Sequence, residues 1–102
     1  MEQNLSLYRI FFEVAQTGNI SRAAKNLYIS QPAISKAIGK LEDSLKLPLF
    51  IRNSRGVQLT EEGAILFEHV RAAFESLNQG EYELRRMTEL GIGHIRIGVS
   101  TV

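Results

Sequence analysis

Ser21-Arg22-Ala23-Ala24-Lys25-Asn26-Leu27-Tyr28-Ile29-Ser30-Gln31-Pro32-Ala33-Ile34-Ser35-Lys36 is the stretch whose reading decides the fold. Its first half opens on Ser21, a residue type suited to capping a helix, and carries Ala23, Ala24 and Leu27 at helical spacing. Two adjacent alanines leave little bulk, so another helix can cross closely there. Tyr28-Ile29-Ser30 reads as a three-residue turn. Ser30 then caps a helix that begins at Gln31, with Pro32 in the first turn, where a lost N–H costs nothing. Ile34, Ile38, Leu41 and Leu45 step by four, three and four and face a core, which turns Pro32, Ser35, Lys36, Gly39, Lys40 and Asp43 outward. Two helices joined by a short turn, the second polar near its N-terminus, form the layout that places a helix in the major groove. The same layout also occurs in proteins that never touch nucleic acid.

Working outward, Leu5, Tyr8, Phe11, Phe12 and Ala15 recur at three- and four-residue steps, predicting a helix over residues 4–17 that Asn4 or Ser6 caps and Gly18 ends. Tyr8, Phe11, Phe12 and Phe50 are expected in the core. Downstream, Pro48 closes the helical region. Phe50-Ile51-Arg52 and Val57-Gln58-Leu59 flank the turn-like Asn53-Ser54-Arg55-Gly56 and predict a small β-hairpin, a wing. Thr60 followed by Glu61 and Glu62 is a strong helix start, predicting a helix to about Leu90. Along it Leu66, Val70, Ala73, Leu77, Gly80, Leu84 and Met87 alternate steps of four and three, a heptad seam with Gly80 as its weak link. Residues 60–90 at ~1.5 Å per residue make a helix of roughly 46 Å, too long for its stripe to pack on one small domain. A second copy is the expected cover, with Leu66, Val70, Ala73, Leu77, Leu84 and Met87 as dimerisation residues. Gly91-Ile92-Gly93 then breaks the helix, and Ile95, Ile97 and Val99 alternate like a strand with no partner in the chain. The expected fold is mainly α: a winged helix-turn-helix with a β-hairpin wing (1–59), a long dimerisation or linker helix (60–90), and a hinge with the first strand of a further domain (91–102).

Composition narrows the function classes. The chain has 102 residues, 44% hydrophobic and 23% charged, which suits one small globular domain with chain to spare. No apolar run is long enough for a membrane span, and Met1-Glu2-Gln3-Asn4 lacks the basic start of a secretory signal, so a cytoplasmic protein is expected. There are no cysteines and two histidines, His69 and His94, far apart in sequence. No disulfide, metal or cofactor is therefore expected in this chain. No nucleophile–base pair, carboxylate pair or phosphate loop can be read, and His69 suits a helix surface or interface, so an enzyme is the least favoured class. Charge is uneven: residues 1–60 hold eight Lys/Arg against four Asp/Glu, and residues 61–102 hold four against seven. A basic front half is a mild footprint for a polyanion, although a solvated charged face would look the same.

Each candidate residue has a plain reading beside the functional one. Gln31 can bond adenine N6 and N7 together, and Ser35 can donate or accept at a base edge; otherwise both are solvated first-turn residues. Lys36 and Lys40 share a face one turn apart and can reach a base or phosphates. Ser21 and Arg22 open a helix whose free N–H groups suit a phosphate, unless Ser21 is only a cap. Arg52 and Arg55 bracket the hairpin turn, and arginine at a wing tip suits a narrow A·T minor groove. Arg55 is the better candidate, since Arg52 could pair with a carboxylate instead. Pro32 and Ala33 are mainly shape, with a thymine methyl in reach.

The segments Ala23-Ala24-Lys25-Asn26-Leu27, Ser30-Gln31-Pro32-Ala33-Ile34-Ser35, Leu41-Glu42, Leu49-Phe50-x-Arg52 and Leu59-Thr60-x-x-Gly63 together resemble the signature of LysR-type transcriptional regulators. The resemblance covers residues 5–90, and residues 91–102 are similar to the start of that family's effector domain. It implies a bacterial, sequence-specific regulator longer than this chain. It implies binding to double-stranded DNA at an interrupted inverted repeat, as a homodimer and at full length a dimer of dimers. Helix 31–45 would enter the major groove and the wing the minor groove, and a small-molecule effector would bind beyond Val102. Ser30 joins the DNA-binding set on the same ground. Two positions depart from the pattern: Lys46 stands where the family usually has glycine, and Gly39 where it usually has a long polar residue. The alternative is a winged-helix module that docks protein through the same surface. Salt separates the two, because DNA binding weakens steeply through counterion release and protein docking need not.

Overall fold

The starts of three helices are set by side-chain oxygens. The computed structural model, which describes residues 5–90, has the order α1 (Leu5–Thr17), α2 (Ile20–Leu27), α3 (Gln31–Leu45), β1 (Phe50–Asn53), β2 (Gly56–Leu59) and α4 (Glu61–Glu89). Asn19, in extended backbone, accepts from the Arg22 N–H at 2.9 Å and caps α2. Ser21 is therefore not the cap: the helix begins one residue before it, and an asparagine three residues ahead of Arg22 is as able an acceptor. Ser30 caps α3 as expected, its Oγ accepting from the Ala33 N–H at 3.2 Å, with Pro32 in the first turn. Thr60 Oγ1 accepts from the Gly63 N–H at 2.9 Å and donates to the Pro48 carbonyl at 2.7 Å. One hydroxyl so starts α4 and ties it to the strand approach. Ser6 lies inside α1 and does not cap it, while Asn4 lies outside the described residues.

Helix ends are less conventional. Gly18 turns the chain at φ +66° after α1, but Tyr28 and Lys46, the residues after α2 and α3, hold left-handed φ of 59° and 62°. Glycine suits such positions because a Cβ crowds the backbone there.

The chain's contacts divide it into two units, residues 1–70 and 71–102. The first unit thus takes in the opening turns of α4, past the boundary expected at 59/60. Its core is filled by Phe11, Val14, Ile34, Leu41 and Leu49, all at 1% exposure or less, and each such side chain contributes about 1.5–3 kcal/mol by leaving water. Ala23 and Ala24 are buried where the helices cross. Of the four aromatics expected inside, Phe11 is buried and Tyr8, Phe12 and Phe50 are half-buried. Phe50 packs against Phe11 with ring centroids 5.4 Å apart, and Phe12 stacks on Phe67 at the same separation.

β1 and β2 pair antiparallel, Phe50 with Leu59, Ile51 with Gln58, Arg52 with Val57 and Asn53 with Gly56, leaving Ser54-Arg55 as the loop. Three attachments hold this wing to the helices. The Val57 N–H donates to the Gly18 carbonyl at 3.0 Å. Glu42 Oε2 accepts from the N–H groups of Leu49 and Phe50 at 2.7 and 3.2 Å. The Thr60 N–H donates to the Leu49 carbonyl at 2.9 Å, beside which a Cβ on Gly63 would have no room. The pairs Leu41-Glu42, Leu49-Phe50 and Thr60-x-x-Gly63 are thus parts of one joint.

In the second unit, α4 carries an Arg71–Glu75 ion pair at 3.0 Å on its surface and one deeply buried side chain, Phe74, at 3% exposure. Leu77 and Leu84 are 51% and 64% exposed. Ala73 and Gly80 are also exposed and Met87 is half-buried. The residues of the expected seam differ in exposure. Val70 is 6% exposed, largely covered within the single chain. Leu66 is half-buried. The hinge and strand expected over 91–102 lie outside the described residues, as does His94. Among the described residues no helix is long and apolar enough to cross a membrane.

Candidate nucleic-acid interface

The burial of Ile34, Ala37, Ile38 and Leu41 fixes which way α3 faces. Gln31, Pro32, Ala33, Lys36 and Lys40 are consequently exposed, Ser35 is half-exposed, and Pro32, Lys36 and Lys40 form one row at four-residue steps. Gly39 lies along the same outward side, and a Cβ there would meet nothing within 4 Å. It leaves a gap in the polar face and is not required by packing.

The first turns of α2 and α3 come together. Gln31 Nε2 donates to Ser21 Oγ at 3.4 Å, a long bond of the kind that is easily exchanged for a better partner. Ser21, Ser30 and Gln31 also line one open cleft, together with Lys25 and Tyr28, which the sequence reading did not single out. The signal for Tyr28 was available: a tyrosine directly after a helix stands where glycine or asparagine is usual.

The wing carries the other cations. The Arg55 N–H bonds Asn53 Oδ1 at 2.9 Å, which shapes the two-residue loop, and both Arg52 and Arg55 are exposed. Among the described residues none of Arg22, Lys36, Lys40, Arg52 and Arg55 takes part in an ion pair. Arg52 is therefore not paired with a core-edge carboxylate among the described residues. Two exposed groups result, one on α2 and α3 and one on the hairpin, both cationic and fixed to a common core by the joint described above. Such a surface can meet phosphates at several points while polar side chains reach between them.

The family model for bacterial regulatory helix-turn-helix proteins of the lysR family matches residues 5–64. The chain belongs to this family. Among curated relatives of this lysR-family chain, the RuBisCO operon transcriptional regulator of Allochromatium vinosum is 38% identical over 99% of this chain and 33% of its own length. The HTH-type transcriptional regulator PerR of Escherichia coli is 46% identical over 74% of this chain and 26% of its own. The chain thus spans about a third or less of the length of these relatives. Among solved structures, the BenM DBD in complex with catB site 1 DNA superposes with a TM-score of 0.76 at 29% identity, covering 84% of this chain and 97% of that one. Full-length CbnR complexed with its target DNA gives a TM-score of 0.71 at 32% identity over 81% of this chain and 29% of that one.

Proposed function

We propose that this chain binds double-stranded DNA and regulates transcription, with α3 reading bases in the major groove and the hairpin entering the minor groove. The observation that carries the reading is the exposed first half of α3, where Gln31, Ser35, Lys36 and Lys40 project from a rigid core with no acidic partner. Gln31 and Ser35 are the base readers in this reading. Lys36, Lys40 and Arg22 hold phosphates, and Arg55, with Arg52 behind it, enters the minor groove. Likeness to the BenM DBD, solved in complex with catB site 1 DNA, supports DNA binding.

The functional unit in this reading is a homodimer that reads an interrupted inverted repeat, paired through Leu66, Val70, Ala73, Leu77, Leu84 and Met87 of α4, of which Ala73, Leu77 and Leu84 are exposed. At full length two dimers join, and a small-molecule effector binds in a domain for which the relatives' extra length leaves room. The chain itself then carries no cofactor, catalyses no reaction and works in the cytoplasm beside the chromosome.

Selecting bound sequences from a random duplex pool supplies the preferred site. Titrating Gln31→Ala and Arg55→Ala against that site and a scrambled duplex at several salt concentrations tests the assignment. Gln31→Ala is expected to lose ~1–3 kcal/mol on the preferred site and little on the scrambled one. Arg55→Ala is expected to weaken binding to A·T-flanked sites and lower the salt slope by about one. Equal weakening of both duplexes by Gln31→Ala, with no effect of Arg55→Ala on affinity or slope, refutes the placement.

A further inference from the structure

Tyr28 is 92% exposed and stands in left-handed backbone, φ 59° and ψ 39°. The turn after α2 is made by main-chain bonds, the Tyr28 N–H to the Ala24 and Lys25 carbonyls and the Ile29 N–H to the Ala24 carbonyl at 3.1 Å. The tyrosine ring adds nothing to the core, and its Cβ makes the turn less favourable than glycine or asparagine would. What it offers lies outside the chain. Tyr28 lines an open cleft together with Ser21, Ala24, Lys25, Ile29, Ser30 and Gln31. The lining thus presents an ammonium, three hydroxyls and an amide, with no carboxylate. Lys25 is exposed and has no ion pair among the described residues.

We propose that this cleft seats the sugar–phosphate strand bordering the groove that α3 enters, with the Lys25 ammonium and the Tyr28 hydroxyl on phosphate oxygens. The inference rests on the reading of α3 as the base-reading helix. Three cleft residues, Ser21, Ser30 and Gln31, belong to that surface already, so the cleft is continuous with it, and its charge complements a polyanion. Tyr28 and Lys25 add anchoring without sequence information, because a phosphate is the same at every step.

The test uses the whole chain with Lys25→Gln, Tyr28→Phe and Tyr28→Asn, the last compatible with left-handed backbone. Each is titrated against the preferred and scrambled duplexes across salt, beside Gln31→Ala. Lys25→Gln is expected to weaken both duplexes by about three- to tenfold and lower the salt slope by about one. Both Tyr28 variants are expected to weaken both duplexes by a similar factor with the slope unchanged, as a neutral donor leaves. Tyr28→Asn should melt no lower than the wild type; a clearly lower melting point would mean the ring serves the fold, and overturns the proposal. Affinities within twofold of wild type, while Gln31→Ala still relaxes discrimination, overturn the cleft and leave the α3 reading standing. Loss confined to the preferred duplex makes Tyr28 a base reader and also overturns it. Should the unaltered chain bind no duplex, both readings fall, and the cleft becomes a candidate for an acidic protein partner.

Discussion

Replacing Glu42 by alanine should loosen the wing before it harms the helices. Its Oε2 accepts from the Leu49 N–H at 2.7 Å and the Phe50 N–H at 3.2 Å, and the Leu49 side chain beside them is 1% exposed. A hydrogen bond to a charged group is worth about 1.5–3 kcal/mol. The longer of the two bonds and the half-buried carboxylate place the pair near the low end, and alanine returns a few tenths through helix propensity, so the net loss is about 2–4 kcal/mol. For a domain of this size that lowers the melting point by on the order of 10–20 °C. Glu42→Gln keeps an acceptor in place and is expected to lose about 1 kcal/mol. Urea unfolding followed by circular dichroism ranks the three proteins, and amide exchange at Leu49 and Phe50 locates the effect. If Glu42→Ala unfolds within about 0.5 kcal/mol of wild type and both amides keep their protection, the carboxylate does not hold the strand and the reasoning fails.

Four further substitutions test other parts of the structure. Lys46→Gly removes a Cβ from a residue at φ 62°, and after the larger chain entropy of unfolded glycine is set against that relief, a gain of roughly 0.5–1 kcal/mol should appear as a higher urea midpoint. The same chemical change should have opposite signs at two glycines: Gly39→Ala, with open space around the new methyl, stabilises by about 1 kcal/mol. Gly63→Ala drives a Cβ into the Leu49 carbonyl and should cost about 1–3 kcal/mol, so similar midpoints for the two variants would contradict the packing described. Leu77→Lys places a charge in the exposed row of α4 and should shift sedimentation at micromolar concentration from dimer to monomer; an unchanged dimer would remove Leu77 from the interface.

Much of this architecture is written in intervals of three and four residues. Ser30, Pro32 and the row Ile34, Ile38 and Leu41 specify the start and inward face of α3, because a cap bonds an N–H three residues on and a helix repeats every 3.6. The candidate interface was legible on the same basis, since a fixed inward face leaves Gln31, Lys36 and Lys40 on the outward one. Where two residues satisfied the same local rule, sequence could not choose: Ser21 and Asn19 are both capable caps, and only the extended backbone at Asn19 decided between them.

What tertiary structure alone decided has a common cause, namely groups brought together by chain reversal. Glu42 reaches N–H groups seven and eight residues on, past the end of its helix, and Gly18 meets Val57 across most of the first unit's sequence. No periodicity encodes those distances. On α4, Val70, Leu77 and Leu84 fit one heptad rhythm, yet within the chain Val70 is covered while Leu77 and Leu84 remain open. Helical spacing tells which residues share a face; whether that face meets the chain's own core or the solvent depends on where the rest of the chain has gone.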